Sequence, residues 1–324
     1  MLSFRWTACP PAEAVLHRPG LRVALRDSGG IGQGEAWPLP GWSVESYADL
    51  ERFVRQLPSL APKSYWTATS QSSGLPTSFR WAISLALESL MERPHTAEIA
   101  NFRGAGLLID TDPLWPQRLE QWTALRLPVV KLKIGASSAT DAYAMISKVL
   151  DAWPWVRLRL DTNRAWDLLT SYALANDLPR TQLDYWEEPV HPSQLEAWIS
   201  HTQLPFALDE SLRSPSSELP SPSLLRSAQA WILKPLLTGS IGECLMFQER
   251  ARGCGCRCIW SSCWESRSTI ESYRLWAPTS EVHGWGPLLY APPFTARSGA
   301  YSTEMDPRPL VASSEEATRE LPIL

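Results

Sequence analysis

Residues 129–134 read VVKLKI, a short apolar segment with lysines at alternate positions. It opens a series of segments of similar length and character: VRLRLD (156–161), LDYWE (183–187), PFALDE (205–210), AWILK (230–234) and RCIWSS (257–262). One earlier strand is expected within residues 106–109. Helical stretches separate these segments, and that alternation is typical of βαβ units in a parallel sheet. The pattern therefore predicts an α/β protein built on parallel strands.

A charged side chain stands at or near the end of five consecutive predicted strands. In chain order these residues are Lys131 with Lys133, then Asp161, Glu187, Asp209 and Lys234, and from Lys133 onward they follow one another at intervals of 22 to 28 residues. The strands of a (β/α) barrel are all parallel, so their carboxyl ends form one ring, where active sites lie. One such residue alone is usually a cap or a solvated rim charge. Five in succession predict a shared site instead.

These residue types suit the removal of a proton beside a carboxylate. Three carboxylates with no soft ligand nearby predict a hard oxygen site for Mg²⁺, or for another hard divalent ion such as Mn²⁺. A metal that binds a substrate carboxylate favours loss of the neighbouring proton. Lysine has an ordinary pKa near 10.4 and becomes a usable base only where nearby cations lower its pKa.

Strand alternation assigns two further side chains to the same face of the sheet. Lys131 and Lys133 lie two residues apart and therefore share a face. Arg159 shares a face with Asp161 by the same rule, which makes Arg159 a predicted contact for an anionic substrate.

Residues 1–95 predict a smaller α+β unit. The segments 21–26 and 31–37 flank an Asp-Ser-Gly-Gly turn, which indicates a β-hairpin. Ser43 is the predicted cap of the helix that follows. A second helix is predicted over residues 78–92.

Composition and charge disfavour several classes of function. A net charge of −4 gives no general attraction to nucleic acid or to an anionic membrane. No apolar run approaches the roughly 18 residues that span a bilayer, and the first residues lack a signal-peptide core. The cytoplasm is therefore the expected compartment. The glycines match neither GxGxxG nor GxxxxGK, which disfavours a Rossmann or P-loop protein.

Cys254, Cys256, Cys258 and Cys263 lie close together in the sequence. A zinc site and a set of buried thiols are the two explanations. The spacing matches no paired CxxC pattern, and alternate cysteines of a strand share one face. We therefore predict buried thiols, which pack as small apolar groups.

Five short motifs in order resemble those of the enolase superfamily, in its muconate-lactonizing-enzyme subgroup. They are KLK (131–133), LDTN (160–163), WEEP (186–189), LDES (208–211) and ILKP (232–235). Within the subgroup, GQGEAWPLPGWS (32–43), RLDTNRAW (159–166) and SSCWES (261–266) are most similar to segments of the o-succinylbenzoate synthase family. The lysine base and Mg²⁺ of this superfamily are a known pattern.

The resemblance implies a fold and a domain organisation. The fold would be a (β/α)7β-type TIM barrel with an N-terminal α+β capping domain. The capping domain would cover residues 1–95 and the barrel residues 96–290. Residues 291–324 would form a tail that packs back on the capping domain or is partly disordered.

The resemblance also implies a role for each site residue. Asp161, Glu187 and Asp209 would bind Mg²⁺. Lys133 would be the general base, Lys234 the cation that faces it, and Lys131 an electrostatic support for Lys133. Two further residues, Asn163 and Glu210, would support the metal ligands. Four others would bind the substrate: Ser261, Ser262, Pro40 and Gly41. Among them, Ser262 and the 38–41 loop would contact the succinyl arm.

The implied reaction is a dehydration that forms 2-succinylbenzoate from a small carboxylate substrate. An N-acylamino acid racemase, a dipeptide epimerase or a muconate cycloisomerase would use the same machinery. Dipeptide epimerases normally carry a DxD motif after the second lysine, whereas this chain has no acid there before Glu265, which disfavours a substrate with a free amine. A barrel that only binds a ligand is the alternative outside enzyme chemistry, and the oligomeric state is left open.

Overall fold

The computed structural model describes residues 1–14, 16–91, 104–213 and 220–289. All of these residues belong to one compact unit, Met1–Ala291. The predicted domain boundary between residues 95 and 96 and the predicted tail 291–324 lie outside the described residues.

The N-terminal part forms an antiparallel sheet with three helices. Its strands and helices are β1 Leu2–Cys9, β2 Gly20–Arg26, β3 Ile31–Ala36, β4 Leu60–Ala61, α1 Tyr47–Val54, α2 Lys63–Gln71 and α3 Thr77–Ser89. The strand order is β3-β2-β1-β4. Strands β2 and β3 pair from Arg26 opposite Ile31, which confirms the predicted hairpin.

Helix α1 does not begin at its predicted cap. Ser46 Oγ accepts a hydrogen bond from Asp49 N at 3.1 Å, and Asp49 Oδ2 accepts one from Ser46 N at 3.1 Å. Ser43 Oγ instead accepts a hydrogen bond from Leu39 N at 2.8 Å within the preceding loop. The prediction for Ser43 was wrong because the reciprocal capping box needs a partner three residues on, which Asp49 provides for Ser46.

Helix α3 lies directly against strand β3 because that strand carries two glycines. A Cβ atom at Gly32 or Gly34 would lie 1.8 or 2.0 Å from a backbone carbonyl oxygen of the helix, that of Ala86 or Ala82 respectively. Only glycine allows so close an approach. The helix is thereby held in a fixed position on the sheet.

The larger sheet is parallel and has seven strands, with helices between them. The elements are β5 Gly106–Ile109, α4 Trp115–Trp122, β6 Val129–Lys133, α5 Ala139–Ala152, β7 Arg157–Asp161, α6 Leu168–Asp177, β8 Leu183–Glu187, α7 Pro192–Thr202, β9 Phe206–Leu208, α8 Pro222–Ser227, β10 Ala230–Leu233, α9 Pro235–Thr238, α10 Ile241–Gly253, β11 Arg257–Trp260 and α11 Arg267–Ser272. Strand order follows chain order from β5 to β11. No helix within the described residues has both the length and the apolar character needed to cross a membrane.

A two-residue segment joins the two edges of this sheet. His283 pairs in parallel with Gly104, just before β5, and Gly284 pairs in parallel with Ser261, just after β11. These bridges take the place of an eighth strand. The predicted (β/α) barrel with an N-terminal α+β layer is therefore confirmed.

Contacts of α3 and β3 attach the N-terminal layer to the barrel. Ser84 Oγ in α3 accepts a hydrogen bond from Ile241 N at 3.1 Å, at the start of α10. Arg80, one turn earlier, forms a salt bridge with Glu243. Glu35 at the end of β3 accepts a hydrogen bond from Thr269 Oγ1 of α11 at 2.7 Å.

The cysteines agree with the prediction of buried thiols. All six are free, and only Cys254 among them is partly exposed. Within the described part of the chain, Cys254, Cys256, Cys258 and Cys263 form no group whose ligand atoms could share a metal ion.

His283 at the barrel closure predicts a loss of stability in mild acid. Its Nδ1 accepts a hydrogen bond from Trp260 N at 3.1 Å, and its Nε2 donates one to the Pro278 carbonyl at 2.9 Å. Burial lowers the pKa of His283 to about 4. Between pH 6.5 and about 4, His283 therefore binds a proton in the unfolded chain but not in the folded protein. The free energy of unfolding falls as the pH falls through this range.

We expect the free energy of unfolding to lose about 2–3 kcal/mol across this range because of His283. Urea denaturation at pH 8 and pH 5 measures the difference between wild type and His283→Gln, which cannot titrate there. The variant His201→Gln, at an exposed position, serves as the control and keeps the wild-type pH dependence. An unchanged pH dependence in His283→Gln would contradict the assignment.

Candidate active site

Three carboxylates meet at the carboxyl ends of neighbouring strands. Asp161 ends β7, Glu187 ends β8, and Asp209 directly follows β9. Asp161 lies opposite Glu187 in the sheet register, and Lys133 lies opposite Asp161. All three carboxylate side chains are buried. The structure thus brings together the three residues that the sequence predicts as metal ligands.

Lys131 lies between two of these carboxylates. Its Nζ is 2.7 Å from Asp161 Oδ2 and 2.7 Å from Glu187 Oε2. Burial disfavours the ammonium group, but the two carboxylates outweigh it and raise the pKa of Lys131 above its ordinary value. Lys131 is thereby held protonated at neutral pH, as a fixed positive charge rather than a base.

The pKa values of the two carboxylates next to Lys131 are shifted in opposite directions. Burial opposes the charged form of Asp161, yet Lys131 and Lys133 together hold the pKa of this carboxyl below its ordinary value. Burial, with Asp161 and Asp209 nearby, raises the pKa of Glu187 to about 8 against the pull of Lys131. A further cation among these groups would favour the charged form of Glu187.

Lys133 differs from the other two lysines of the site. Burial lowers its pKa, and the positive charges of Lys131 and Lys234 lower it further against the pull of Asp161. No salt bridge joins Lys133 to another residue in the part of the chain that is described. A lysine in this state can give up its proton and act as a base at lower pH than a free lysine.

Asp209 is held by two other cations. Lys234 Nζ donates to Asp209 Oδ2, and the Arg213 guanidinium forms a salt bridge with Asp209 Oδ1. Despite burial, Arg213 and Lys234 hold the pKa of Asp209 well below its usual range. The ring of Trp42, from the N-terminal layer, lies with its centroid 5.4 Å from Lys234 Nζ.

Asn163 and Glu210, the two predicted supporting residues, connect Asp161 to the residue that follows Asp209. Asn163 N donates to Asp161 Oδ1 at 2.9 Å, and Asn163 Nδ2 donates to Glu210 Oε1 at 3.0 Å. Burial, together with Asp209, raises the pKa of Glu210 to about 7. Glu210 therefore has an environment that favours its neutral form more than that of an ordinary glutamate.

Glu188, which the sequence prediction left out, fixes the turn after β9. Its Oε1 accepts hydrogen bonds from Asp209 N and Ser211 N, both at 2.9 Å. Its Oε2 accepts from Ser211 Oγ and from Arg164 Nε, both at 3.0 Å. This buried carboxylate thus holds the backbone of Asp209, and the second Glu of the WEEP motif was the signal for it.

Arg159, which the sequence predicts as a substrate contact, lies in a buried ion pair with Asp184. Arg159 Nε donates to Asp184 Oδ2 at 2.8 Å, and Nη1 donates to the Val282 carbonyl at 2.7 Å. Arg159 does share a face with Asp161, but it lies one pleat nearer the amino end of the barrel. It is buried there in an ion pair, away from the three ligand carboxylates.

The other predicted substrate contacts fall into two groups. Ser261 and Ser262 follow β11 at the carboxyl end, and Ser262 Oγ is buried without a hydrogen bond to any described residue. Pro40 and Gly41 are exposed on the loop that follows β3, and Gly41 has a φ of 79°. This loop leads directly to Trp42.

The sequence analysis also did not predict two residues that lie beside this ion pair: Trp42, next to Lys234, and Arg213, which contacts Asp209. Trp42 follows the Pro40-Gly41 pair that was predicted to face the substrate, so its position in the sequence was the available signal. Arg213 lies four residues after Asp209, but no pattern in the sequence predicts that its side chain contacts that carboxylate.

The donor set fits a hard divalent cation. Carboxylate oxygens are the ligands that Mg²⁺ and Mn²⁺ prefer, and Glu187 Oε1 is buried with no hydrogen-bond partner among the described residues. The ligand oxygens of Asp161, Glu187 and Asp209 do not all lie within 4.8 Å of one another, in keeping with the ammonium of Lys131 between two of them. A bound metal ion would therefore replace part of the positive charge with which lysine and arginine side chains neutralise these carboxylates.

A second group of potential metal ligands lies close together in the N-terminal layer, but it does not fit a metal. Cys9, Glu13 and Glu35 bring their ligand atoms within 4.8 Å of one another. Glu35 Oε1 accepts from Arg22 Nη2 at 2.6 Å, and Glu35 Oε2 accepts from Trp37 Nε1 at 3.1 Å and from Thr269 Oγ1 at 2.7 Å. The Glu35 carboxylate is thus already satisfied by its neighbours.

Comparison with known proteins defines the class to which this barrel belongs. Residues 116–277 match the family described as Enolase C-terminal domain-like. A solved structure of L-Ala-D/L-Glu epimerase from Bacillus subtilis, in a substrate-liganded complex, has a TM-score of 0.68 at 20% identity and covers 89% of this chain and 90% of that chain. The chain therefore belongs to the Enolase C-terminal domain-like family and has the fold of the enolase superfamily.

Two further relatives narrow the family. The o-succinylbenzoate synthase of Escherichia coli O1:K1 / APEC is 31% identical over 274 residues, which are 81% of this chain and 82% of that protein. An o-succinylbenzoate synthase from Thermosynechococcus elongatus BP-1, solved with Mg in the active site, has a TM-score of 0.69 at 23% identity and covers 88% of this chain and 94% of that chain. The chain belongs to the o-succinylbenzoate synthase family of lyases.

Removal of the Glu188 carboxylate should destabilise the protein strongly. Glu188→Ala leaves the backbone of Asp209 and Ser211 and the guanidinium of Arg164 without their acceptor. We expect a loss of about 3–5 kcal/mol in the free energy of unfolding, measured by urea denaturation. Glu120→Ala, at an exposed position of α4, is the matched control and should change stability by less than about 0.5 kcal/mol. Equal losses in the two variants would refute this role of Glu188.

Proposed function

We propose that this chain is an o-succinylbenzoate synthase. It would remove water from 2-succinyl-6-hydroxy-2,4-cyclohexadiene-1-carboxylate and form 2-succinylbenzoate, a step toward menaquinone or phylloquinone. The observation that carries the proposal is the ring of Asp161, Glu187 and Asp209 with Lys133 and Lys234 on different strands beside it. The relationship to o-succinylbenzoate synthases at 31% identity supports the choice of substrate.

Lys133 is the proposed general base. Its pKa is lowered by burial and by the neighbouring ammonium groups, so it can accept the proton next to the substrate carboxylate. Mg²⁺ or Mn²⁺, when bound by Asp161, Glu187 and Asp209, supplies positive charge that stabilises the electrons left on that carboxylate.

The proton and the leaving group balance without a further reactant. Lys133 takes the proton, and the ring hydroxyl leaves with that proton as water. The new double bond completes an aromatic ring, so the reaction is favourable and requires modest catalysis. Lys131 and Lys234, whose pKa values are raised above that of an ordinary lysine, supply positive charges that suit an anionic substrate.

The N-terminal layer is proposed to close the substrate pocket. Trp42 lies beside Lys234, and Pro40 and Gly41 are exposed next to it. Ser262 offers a buried hydroxyl without a partner among the described residues, which suits a hydrogen bond to the carboxylate of the succinyl arm. We expect the enzyme to act in the cytoplasm, on a small molecule and without nucleic acid or membrane.

Racemisation of N-acylamino acids is the second candidate. Two lysines that face a substrate from different strands suit proton exchange on both faces of a carbon atom. The segment after β11 carries its first acid at Glu265, which is fully buried and accepts a hydrogen bond from Cys263 N at 2.5 Å. It is thus committed to its own turn, which disfavours recognition of a substrate amine.

A steady-state assay distinguishes the candidates. With Mg²⁺ we expect the purified chain to convert the diene, followed by the change in absorbance, and to lose this activity in EDTA. A panel of N-succinylamino acids, followed by exchange of the α-proton with solvent, should react more slowly. Faster reaction of the panel would replace the proposal by racemisation, and no metal-dependent reaction at all would favour a binding barrel.

Replacement of the proposed base gives a second prediction. Lys133→Ala should lower kcat by about 10³-fold, because the proton acceptor is lost, and leave Mg²⁺ affinity nearly unchanged. Lys63→Ala removes an exposed lysine at the start of α2 and should leave both quantities at the wild-type level. Appreciable dehydration by Lys133→Ala would remove Lys133 from this role.

A further inference from the structure

Arg213 is an unusual neighbour for a proposed metal ligand. Its guanidinium forms a salt bridge with Asp209 Oδ1, while Lys234 occupies Oδ2 of the same carboxylate. Both oxygens of Asp209 are therefore engaged by cations. A divalent ion that uses Asp209 has to replace at least one of these contacts.

The contact of Arg213 is the one better placed to give way. Neither Nη atom of Arg213 makes a well-aligned hydrogen bond to a described residue, although both are buried. Guanidinium remains charged at all ordinary pH values, so it cannot relieve the repulsion from Lys234 by losing a proton. Lys234, by contrast, makes a hydrogen bond to Asp209 in addition to the ionic contact.

A second acceptor for Arg213 lies within the same turn. Glu210 precedes Arg213 by three residues and interacts with it electrostatically. Glu210 Oε2 is buried and has no hydrogen-bond partner among the described residues. The guanidinium can therefore leave Asp209 and still have a hydrogen-bond acceptor nearby in Glu210 Oε2.

We propose that Arg213 is a displaceable counter-ion of Asp209, which holds this carboxylate before the metal binds and gives it up when the metal arrives. The inference rests on the proposed metal site. Arg213 acts here as a positioning residue. Because it competes with the metal for Asp209, it lowers the affinity of the site for the metal. Because Arg213 contacts Asp209 directly, its removal leaves a carboxylate oxygen free for a divalent ion and makes binding at this carboxylate more favourable.

Direct measurement of Mg²⁺ binding tests this role without any substrate. The full chain is freed of metal with EDTA and titrated with MgCl₂ at low ionic strength in a calorimeter. Arg213→Met should bind Mg²⁺ on the order of tenfold more tightly than wild type, because it lacks the competing charge. Arg213→Lys keeps the charge and should stay close to wild type.

A matched control separates local competition from overall charge. Arg252→Met removes one positive charge from the exposed end of α10, where Arg252 pairs with Glu249, and should leave Mg²⁺ affinity unchanged. Circular dichroism and thermal unfolding of each metal-free variant establish that it is folded.

The possible outcomes distinguish this inference from the proposed function. Equal or weaker Mg²⁺ binding by Arg213→Met, beside normal binding by wild type, would overturn the role of Arg213 and leave the metal site standing. Absence of Mg²⁺ binding in both proteins would overturn the metal site and this inference together. Tighter binding by both Arg213→Met and Arg252→Met would assign the effect to net charge and also contradict the inference.

Discussion

Neutralisation of buried carboxylates is the constraint on which the site depends. The side chains of Asp161, Glu187 and Asp209 are almost completely buried. An isolated charge at such a position would strongly destabilise the folded protein. The barrel brings these residues together because parallel strands end at one face. It can hold them there because lysines and an arginine reach the same ring. The same cations suit an anionic substrate, so one arrangement serves both stability and binding.

The N-terminal layer shapes the other side of the site through a few buried polar contacts. Glu35 connects β3 to α11, and Arg18 donates to the Trp264 carbonyl at 3.1 Å and to the Trp37 carbonyl at 3.3 Å. Trp37 and Trp264 flank the two segments that reach the site, the loop toward Trp42 and the turn after β11. Arg18 thus connects the start of the loop that carries Trp42 to the turn after β11.

Strand alternation and the βα spacing were sufficient to predict the barrel and the residues of its ring. The segment 183–187 became β8 without change, while 205–210 was shortened to Phe206–Leu208. The difference arises because Glu188 accepts a hydrogen bond from Asp209 N and thereby directs the backbone out of the sheet. A contact of this kind is tertiary: the WEEP motif contains Glu188, but it does not show which strand end the side chain reaches.

Depth along a strand and the course of loops account for the remaining differences. Alternation assigned Arg159 to the correct face but not to the ion pair with Asp184 below the site. Trp42 and Arg213 lie in segments without helical or strand periodicity, so the direction of their side chains could not be predicted from the sequence. The prediction for Ser43 failed for a smaller reason, since two serines compete to cap α1 and only one has an acid in the right place.

The closure of the barrel by His283 and Gly284 has a consequence for how the chain folds. Gly104 and Ser261 find their partners only when residues from the far end of the barrel are present. Contacts between distant parts of a chain form slowly, because the chain between them has to close into a long loop and this closure costs conformational entropy. During synthesis, the edges of β5 and β11 would therefore stay unpaired until almost the whole barrel has left the ribosome, and unpaired edges are where chains aggregate.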